Sequence, residues 1–176
     1  MNHTILIGFK HVGKSTIGER ASKELQLPFI DLDREIEKTH SQRTGNSLTC
    51  REIYASQGEQ HFRDLEHETL GTILSSEEQA LIALGGGTPM DPRNQQLIEN
   101  HRTILISSPQ EMVYERIMLR GKPAFFSPDE NPYQTFERIW EERKKVYEKI
   151  SATTVQNNGS LDEVVEHLVQ TIKNKA

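Results

Sequence analysis

"GFKHVGKST", residues 8–16, decides the fold. It follows the apolar run "TILIG" (4–8) and opens the amphipathic stretch "GKSTIGERASKELQ". Gly8, Gly13, Lys14 and Ser15 fit G-x-x-x-x-G-K-[ST], the pattern of a phosphate-cradling loop between a strand and a helix. Gly8 leaves the strand by a turn that a side chain would obstruct. Gly13 lets the backbone approach phosphate oxygens closely. Successive N–H groups and the helix N-terminus then present positive potential to an anion. In that arrangement Lys14 reaches the β- and γ-phosphates and the Ser15 hydroxyl ligates Mg²⁺. The whole loop, Gly8, Lys10, His11, Val12, Gly13, Lys14, Ser15 and Thr16, is therefore the candidate nucleotide-binding segment. Lys10 adds a second cation. His11 stands where such loops commonly carry glycine, and a positive φ there would cost it some strain.

Outward from the loop, apolar runs alternate with amphipathic ones. "LPFIDLD" (27–33), "ALIALGGG" (80–87), "RTILIS" (102–107) and "TTVQ" (153–156) read as further strands. The central ones are nearly continuously apolar, as buried parallel strands are. Helical patterns fill the intervals. "SLTCREIYASQGEQHFRDLEHETLGTIL" reads as two helices broken near Gly58, and Ser108 and Pro109 mark the cap and first turn of "SPQEMVYERIML". Strand–helix alternation predicts βαβ units and a parallel sheet covered on both faces, with ligands at the carboxyl ends of the strands. The stretch "RGKPAFFSPDENPY" (120–133) lacks periodicity and is expected to be a loop.

The chain has 176 residues, which suits a single domain, and 21 Lys+Arg against 26 Asp+Glu give a formal net charge of -5. Mild acidity with no basic face argues against a nucleic-acid partner. The single cysteine, Cys50, forms no internal disulfide and suits a reducing compartment. Its polar surroundings suggest a helix-flanking residue rather than a nucleophile. No apolar run approaches the ~20 residues needed to span a bilayer, and the N-terminus does not read as a signal peptide. A cytoplasmic monomer is the expectation.

Several residues at the strand ends suggest a second substrate. Asp31 and Asp33, two apart at the end of the second strand, are expected to face one site. One would hold Mg²⁺ through water, and the other would accept a proton from a hydroxyl. Asp33 also suits the acidic cap of the helix that follows. Gly85, Gly86 and Gly87 expose bare backbone to a small polar ligand. Arg63 and Arg143 together would clamp a carboxylate by bidentate pairing, although either alone reads as a solvated surface residue.

"GKSTIG", "DLDREIE", "REIYASQGEQHFRDLE", "LGGGTP" and "ERKKVYEKIS", in this order and spacing, resemble shikimate kinase from residue 4 to about residue 170. The resemblance implies an α/β fold of the P-loop NTPase class. It would be nucleoside-monophosphate-kinase-like, a three-layer α/β/α domain over residues 1–176 with a five-stranded parallel sheet of order 2-3-1-4-5. It implies ATP- and Mg²⁺-dependent phosphorylation of the 3-hydroxyl of shikimate, in aromatic amino-acid biosynthesis. Residues 33–62 would form the shikimate-binding region and 118–133 the lid. Asp33, Arg63, Arg143 and Gly85–Gly87 would bind shikimate, with Asp33 as proton acceptor. Ser15 and Asp31 would serve the metal, and Arg116 would pack against adenine. The family lid carries an R-P-L-L sequence where this chain has "RGKPAFF", so Lys122, or Arg120 in another register, would supply the catalytic lid cation. Lys is a point charge without the planar fork of Arg. The competing readings are another small-metabolite kinase of the gluconate type and a non-catalytic, nucleotide-responsive regulator.

Overall fold

A computed structural model describes residues 2–120 and 131–174. Five parallel strands form one sheet in the order β2-β3-β1-β4-β5. They are β1 (Thr4–Ile7), β2 (Phe29–Asp31), β3 (Leu81–Ala83), β4 (Arg102–Ser107) and β5 (Thr153–Gln156). β1 lies at the centre, in register with β3 from Thr4 opposite Leu81 and with β4 from Thr4 opposite Arg102. Ile5, Leu6 and Ile7 have no exposed surface, so both faces of this strand are covered. That coverage is why the run is apolar without alternation.

Helix α1 (Lys14–Leu25) packs on α8 (Leu161–Lys173) and over β1 and β3. Val164, Val165, Leu168 and Val169 form the buried stripe of α8, and Ser160 and Glu163 close a capping box at its start. At its other end the Arg102 guanidinium donates to the carbonyls of Thr171 at 2.7 Å and Ile172 at 3.0 Å. A cation on the last carbonyls satisfies acceptors that the helix leaves open. Arg102→Ala should therefore lower stability by about 2 kcal/mol and the melting temperature by ~4–8 °C. A calorimetric melt checks this, and an unchanged transition would contradict it.

Helices α2 (Leu32–Thr44), α3 (Cys50–Gln57) and α4 (Glu59–Leu74) follow β2 and pack against one another. The expected break at Gly58 is real: its φ of 87° and ψ of 165° suit glycine, and this turn sets the direction of α4, which carries Arg63. Helix α7 (Pro132–Ile150) lies over β4, next to α6 (Gln110–Arg120). Among the described residues no helix is long and apolar enough to cross a membrane.

Three local expectations change. The second strand ends at Asp31, so Asp33 lies in the first turn of α2 and not on a strand beside Asp31. Asp31 is the helix cap, because its Oδ1 accepts from the backbone N–H groups of Asp33 and Arg34. The Ser108 hydroxyl donates to the Asn157 carbonyl at 3.0 Å, bridging the ends of β4 and β5. Finally, α5 (Pro92–Ile98), entered through a short 3₁₀ turn (Thr88–Met90), was not anticipated. Its signature is plain in retrospect: Asp91 caps it and Pro92 opens its first turn. The expected lid centre lies outside the described residues. That covers Lys122 and the Phe125–Phe126 pair, and the side chain of Arg120 is likewise not described.

Candidate active site

The phosphate loop leaves β1 at Gly8 and enters α1 at Gly13, with φ of 143° and 99°. A Cβ on Gly8 would collide with the Ile106 carbonyl oxygen, and one on Gly13 would sit 2.8 Å from Asn157 Nδ2. Both glycines are thus demanded by packing as well as by conformation. His11 adopts φ 65°, a left-handed conformation that L-residues enter at some cost. Its carbonyl accepts from Arg116 Nη1 at 3.2 Å, which brings α6 over the loop.

Lys14 is buried, and its ammonium donates to the carbonyls of Gly8 at 2.8 Å and Phe9 at 2.9 Å. Burial lowers its pKa to about 8, Arg143 and Lys10 pull the same way, and Asp33 and Asp31 oppose them. Behind it, Ser15 Oγ lies 2.5 Å from Asp31 Oδ2. The carboxylate therefore has one oxygen on the helix cap and one on Ser15. A hydroxyl and a carboxylate in contact beside a ring of bare amides fit a magnesium–nucleotide complex.

Two clefts meet at the Gly85–Gly87 run. The first, about 520 Å³, is lined by the phosphate loop, Asp31, Asp33, Gly85, Gly86 and Arg116, and closed on the far side by Asn157, Gly159 and Leu161. The second, about 460 Å³, is lined by Arg63, Gly87, Arg93 and Arg143. Each glycine faces one functional side chain. A Cβ on Gly85 would lie 2.8 Å from Asp33 Oδ1, one on Gly86 3.4 Å from Arg143 Nη1, and one on Gly87 2.9 Å from Arg63 Nη2. Side chains here would fill the space between the carboxylate and the two guanidinium groups. The run is therefore a bare floor rather than a flexible turn.

Each of these three side chains is held differently. Asp33 faces the open cleft and keeps water at its edge, yet the surrounding wall of protein pushes its carboxyl up to about 6, with Asp31 adding to the rise and Lys14 opposing it. Arg63 donates Nη1 to Glu66 at 2.8 Å and lies over the Phe62 ring. Arg143 stacks 5.0 Å above the Phe9 ring, and one turn further along α7 the Tyr147 hydroxyl donates to the Gly86 carbonyl. Burial raises the Tyr147 pKa to about 12, which keeps that hydroxyl a donor.

The sequence reasoning missed Glu66, Tyr147 and the Asn157–Leu161 wall. Glu66 is 2 % exposed and also accepts from Thr88 Oγ1 at 2.7 Å, which locks it between the glycine run and Arg63. A carboxylate three residues after an arginine on one helix was the only available signal. Asn157 Nδ2 donates to the Val12 carbonyl at 2.8 Å, tying the wall to the loop. Cys50 Sγ donates to the Asp33 carbonyl, and burial beside Asp33 and Glu37 pushes its thiol well up, so it is no nucleophile.

Residues 10–173 match the family model for shikimate kinase. The chain is 34% identical over 174 residues to the shikimate kinase of Clostridium botulinum, covering 98% of each protein. It is 37% identical over 142 residues to the bifunctional shikimate kinase/3-dehydroquinate synthase of Thermotoga maritima, covering 81% of this chain and 27% of that one. The structure of the Acinetobacter baumannii shikimate kinase in complex with shikimate superposes with a TM-score of 0.82. It covers 99% of this chain and 95% of that one at 24% identity, a likeness of fold.

Proposed function

The chain belongs to the shikimate kinase family, and from that premise we propose how its residues divide the phosphorylation of the shikimate 3-hydroxyl between them. One observation carries the assignment: Asp33, Arg143 and Arg63 face successive glycines of one bare run, beside the loop that Lys14 closes. Bound ATP supplies the phosphoryl group, and its Mg²⁺ neutralises charge on the phosphate oxygens.

The loop amides and the α1 N-terminus hold the phosphate chain. Lys14 exchanges its contacts with the Gly8 and Phe9 carbonyls for phosphate oxygens, so its buried charge is never left unsatisfied. Ser15 is the metal ligand and Asp31 orients it. Arg116 covers the base from α6, opposite Leu161. On the acceptor side, Arg63 and Arg143 grip the carboxylate. The Gly85–Gly87 run admits the ring, and Asp33 takes the hydroxyl proton. Glu66 positions Arg63, because it fixes one edge of the guanidinium and leaves the Nη2 edge directed at the glycines. Residues 33–62 supply only part of the acceptor region, through Asp33; Arg63, the Gly85–Gly87 run and Arg143 supply the rest within a single catalytic domain.

The test is coupled ADP release with a panel of hydroxy acids. Shikimate should be turned over with Mg²⁺–ATP, and gluconate should be turned over at least a hundredfold more slowly (about 3 kcal/mol of discrimination). Chelation of Mg²⁺ should abolish turnover. A folded protein that releases no ADP on addition of shikimate would defeat the assignment.

A further inference from the structure

Lys10 is not needed by the phosphate-loop pattern, yet it stands where the two clefts meet. Its backbone nitrogen would lie 3.0 Å from a Cβ on Gly86, so the loop at this point rests against the glycine floor. The residue is exposed into the cleft that holds Lys14, Asp33 and Gly85. The neighbouring cations are engaged: Lys14 with two loop carbonyls, Arg63 with Glu66, and Arg143 with the Phe9 ring. Among the described residues the Lys10 ammonium makes no hydrogen bond or ion pair. It lines the one cleft that Lys14 borders on the loop side and Asp33 on the acceptor side.

We propose that Lys10 is a further catalytic residue of this kinase, contacting the phosphoryl group in transit from the acceptor side. The proposal rests on the shikimate kinase reading. In the step concerned, a lone pair of the 3-hydroxyl oxygen forms the bond to the γ-phosphorus while the bond from that phosphorus to the bridging oxygen breaks. The electron pair of the broken bond leaves with ADP, and the hydroxyl proton passes to Asp33. The Lys10 ammonium makes a hydrogen bond to the non-bridging oxygens as their charge redistributes. An ammonium on a flexible four-carbon stem suits this role, since it follows a group that moves between two oxygens. Its contact is made in the transition state and not with bound ATP, so it raises kcat rather than affinity.

The experiment compares Lys10→Met and Lys10→Arg with wild type in steady state. It also titrates each protein with two ligands: a non-hydrolysable ATP analogue, and ADP with aluminium fluoride in the presence of shikimate and Mg²⁺. Lys10→Met should lower kcat by about 10–100-fold and leave both KM values within about threefold. Lys10→Arg should recover most of the rate. Affinity for the aluminium fluoride complex should fall in parallel with kcat, and affinity for the ATP analogue should not; a merely structural residue would not split the two. Lys10 is exposed, so the variants should fold, and a thermal melt verifies it. A Lys10→Met enzyme as fast as an active wild type overturns the proposal alone, as does a rise in the KM for ATP at unchanged kcat. A wild-type protein inert toward shikimate overturns the reading beneath it as well.

Discussion

Arg63→Ala should raise the KM for shikimate by about a hundredfold and leave the KM for ATP within about threefold. The figure follows from losing a charge-assisted pair, ~3 kcal/mol at tenfold per 1.4 kcal/mol. The separation between substrates follows from position. Arg63 lines the cleft beyond Gly87, and the nucleotide groups line the other one. The alanine variant also strands Glu66, whose carboxylate is buried and has Arg63 as its cationic partner. Removing one member of a buried pair destabilises by ~3–5 kcal/mol. Two further variants separate binding from folding. Arg63→Lys keeps a charge near Glu66 but lacks the planar fork, so it should raise the KM for shikimate by about tenfold with a small change in melting temperature. Arg63→Ala combined with Glu66→Gln removes the stranded charge, so it should regain stability without regaining affinity. Equal effects on the KM of ATP and shikimate in all three would contradict the assigned place of Arg63.

The dependence of Arg63 on Glu66 also marks how far sequence reasoning reaches. The strands and the phosphate loop were legible because each depends on local pattern: unbroken apolar runs, glycines at fixed offsets, and a lysine at a helix start; the strand order came only with the family resemblance. The glycine run was legible as bare backbone. Its partners Asp33, Arg143 and Arg63 were grouped with it only through the resemblance, and their pairing, one per glycine, was not legible, because they come from α2, α7 and α4, which only the fold brings together. Glu66 looked like one more acid on a charged helix. Its role appears only when Thr88, from the turn after β3, closes over it. Tyr147 likewise read as part of an amphipathic repeat, and its hydroxyl reaches the Gly86 carbonyl because α7 crosses that floor. The wall formed by Asn157, Gly159 and Leu161 follows β5, an edge strand that the sequence located without showing its nearness to the loop.

Asp31 and Asp33 show the same limit most sharply, and they carry the second large prediction. From spacing alone either was fit to hold the metal or accept the proton, and Asp33 was the expected helix cap. The backbone resolves the choice: the helix starts between them, Asp31 takes the cap and the Ser15 hydroxyl, and the carboxylate of Asp33 remains to face the cleft. Asp33→Asn should therefore lower kcat by about 10²–10⁴-fold, the range for loss of a positioned proton acceptor. The melting temperature should hardly change, because the substitution is isosteric and the cap remains on Asp31. The KM for ATP should stay within about threefold. Asp31→Asn should behave in the opposite sense. It keeps the cap, because Asn accepts the same backbone N–H groups, but it raises the Mg²⁺ concentration needed for half-maximal rate, while saturating Mg²⁺ restores most of the turnover. Single-turnover rates at saturating substrates, with Mg²⁺ titrated for each variant, distinguish the two. If Asp33→Asn retains turnover within about threefold of wild type, proton acceptance belongs to another group and Asp33 merely orients the ring. If Asp31→Asn is the slower enzyme at saturating Mg²⁺, the roles given to the two carboxylates are reversed.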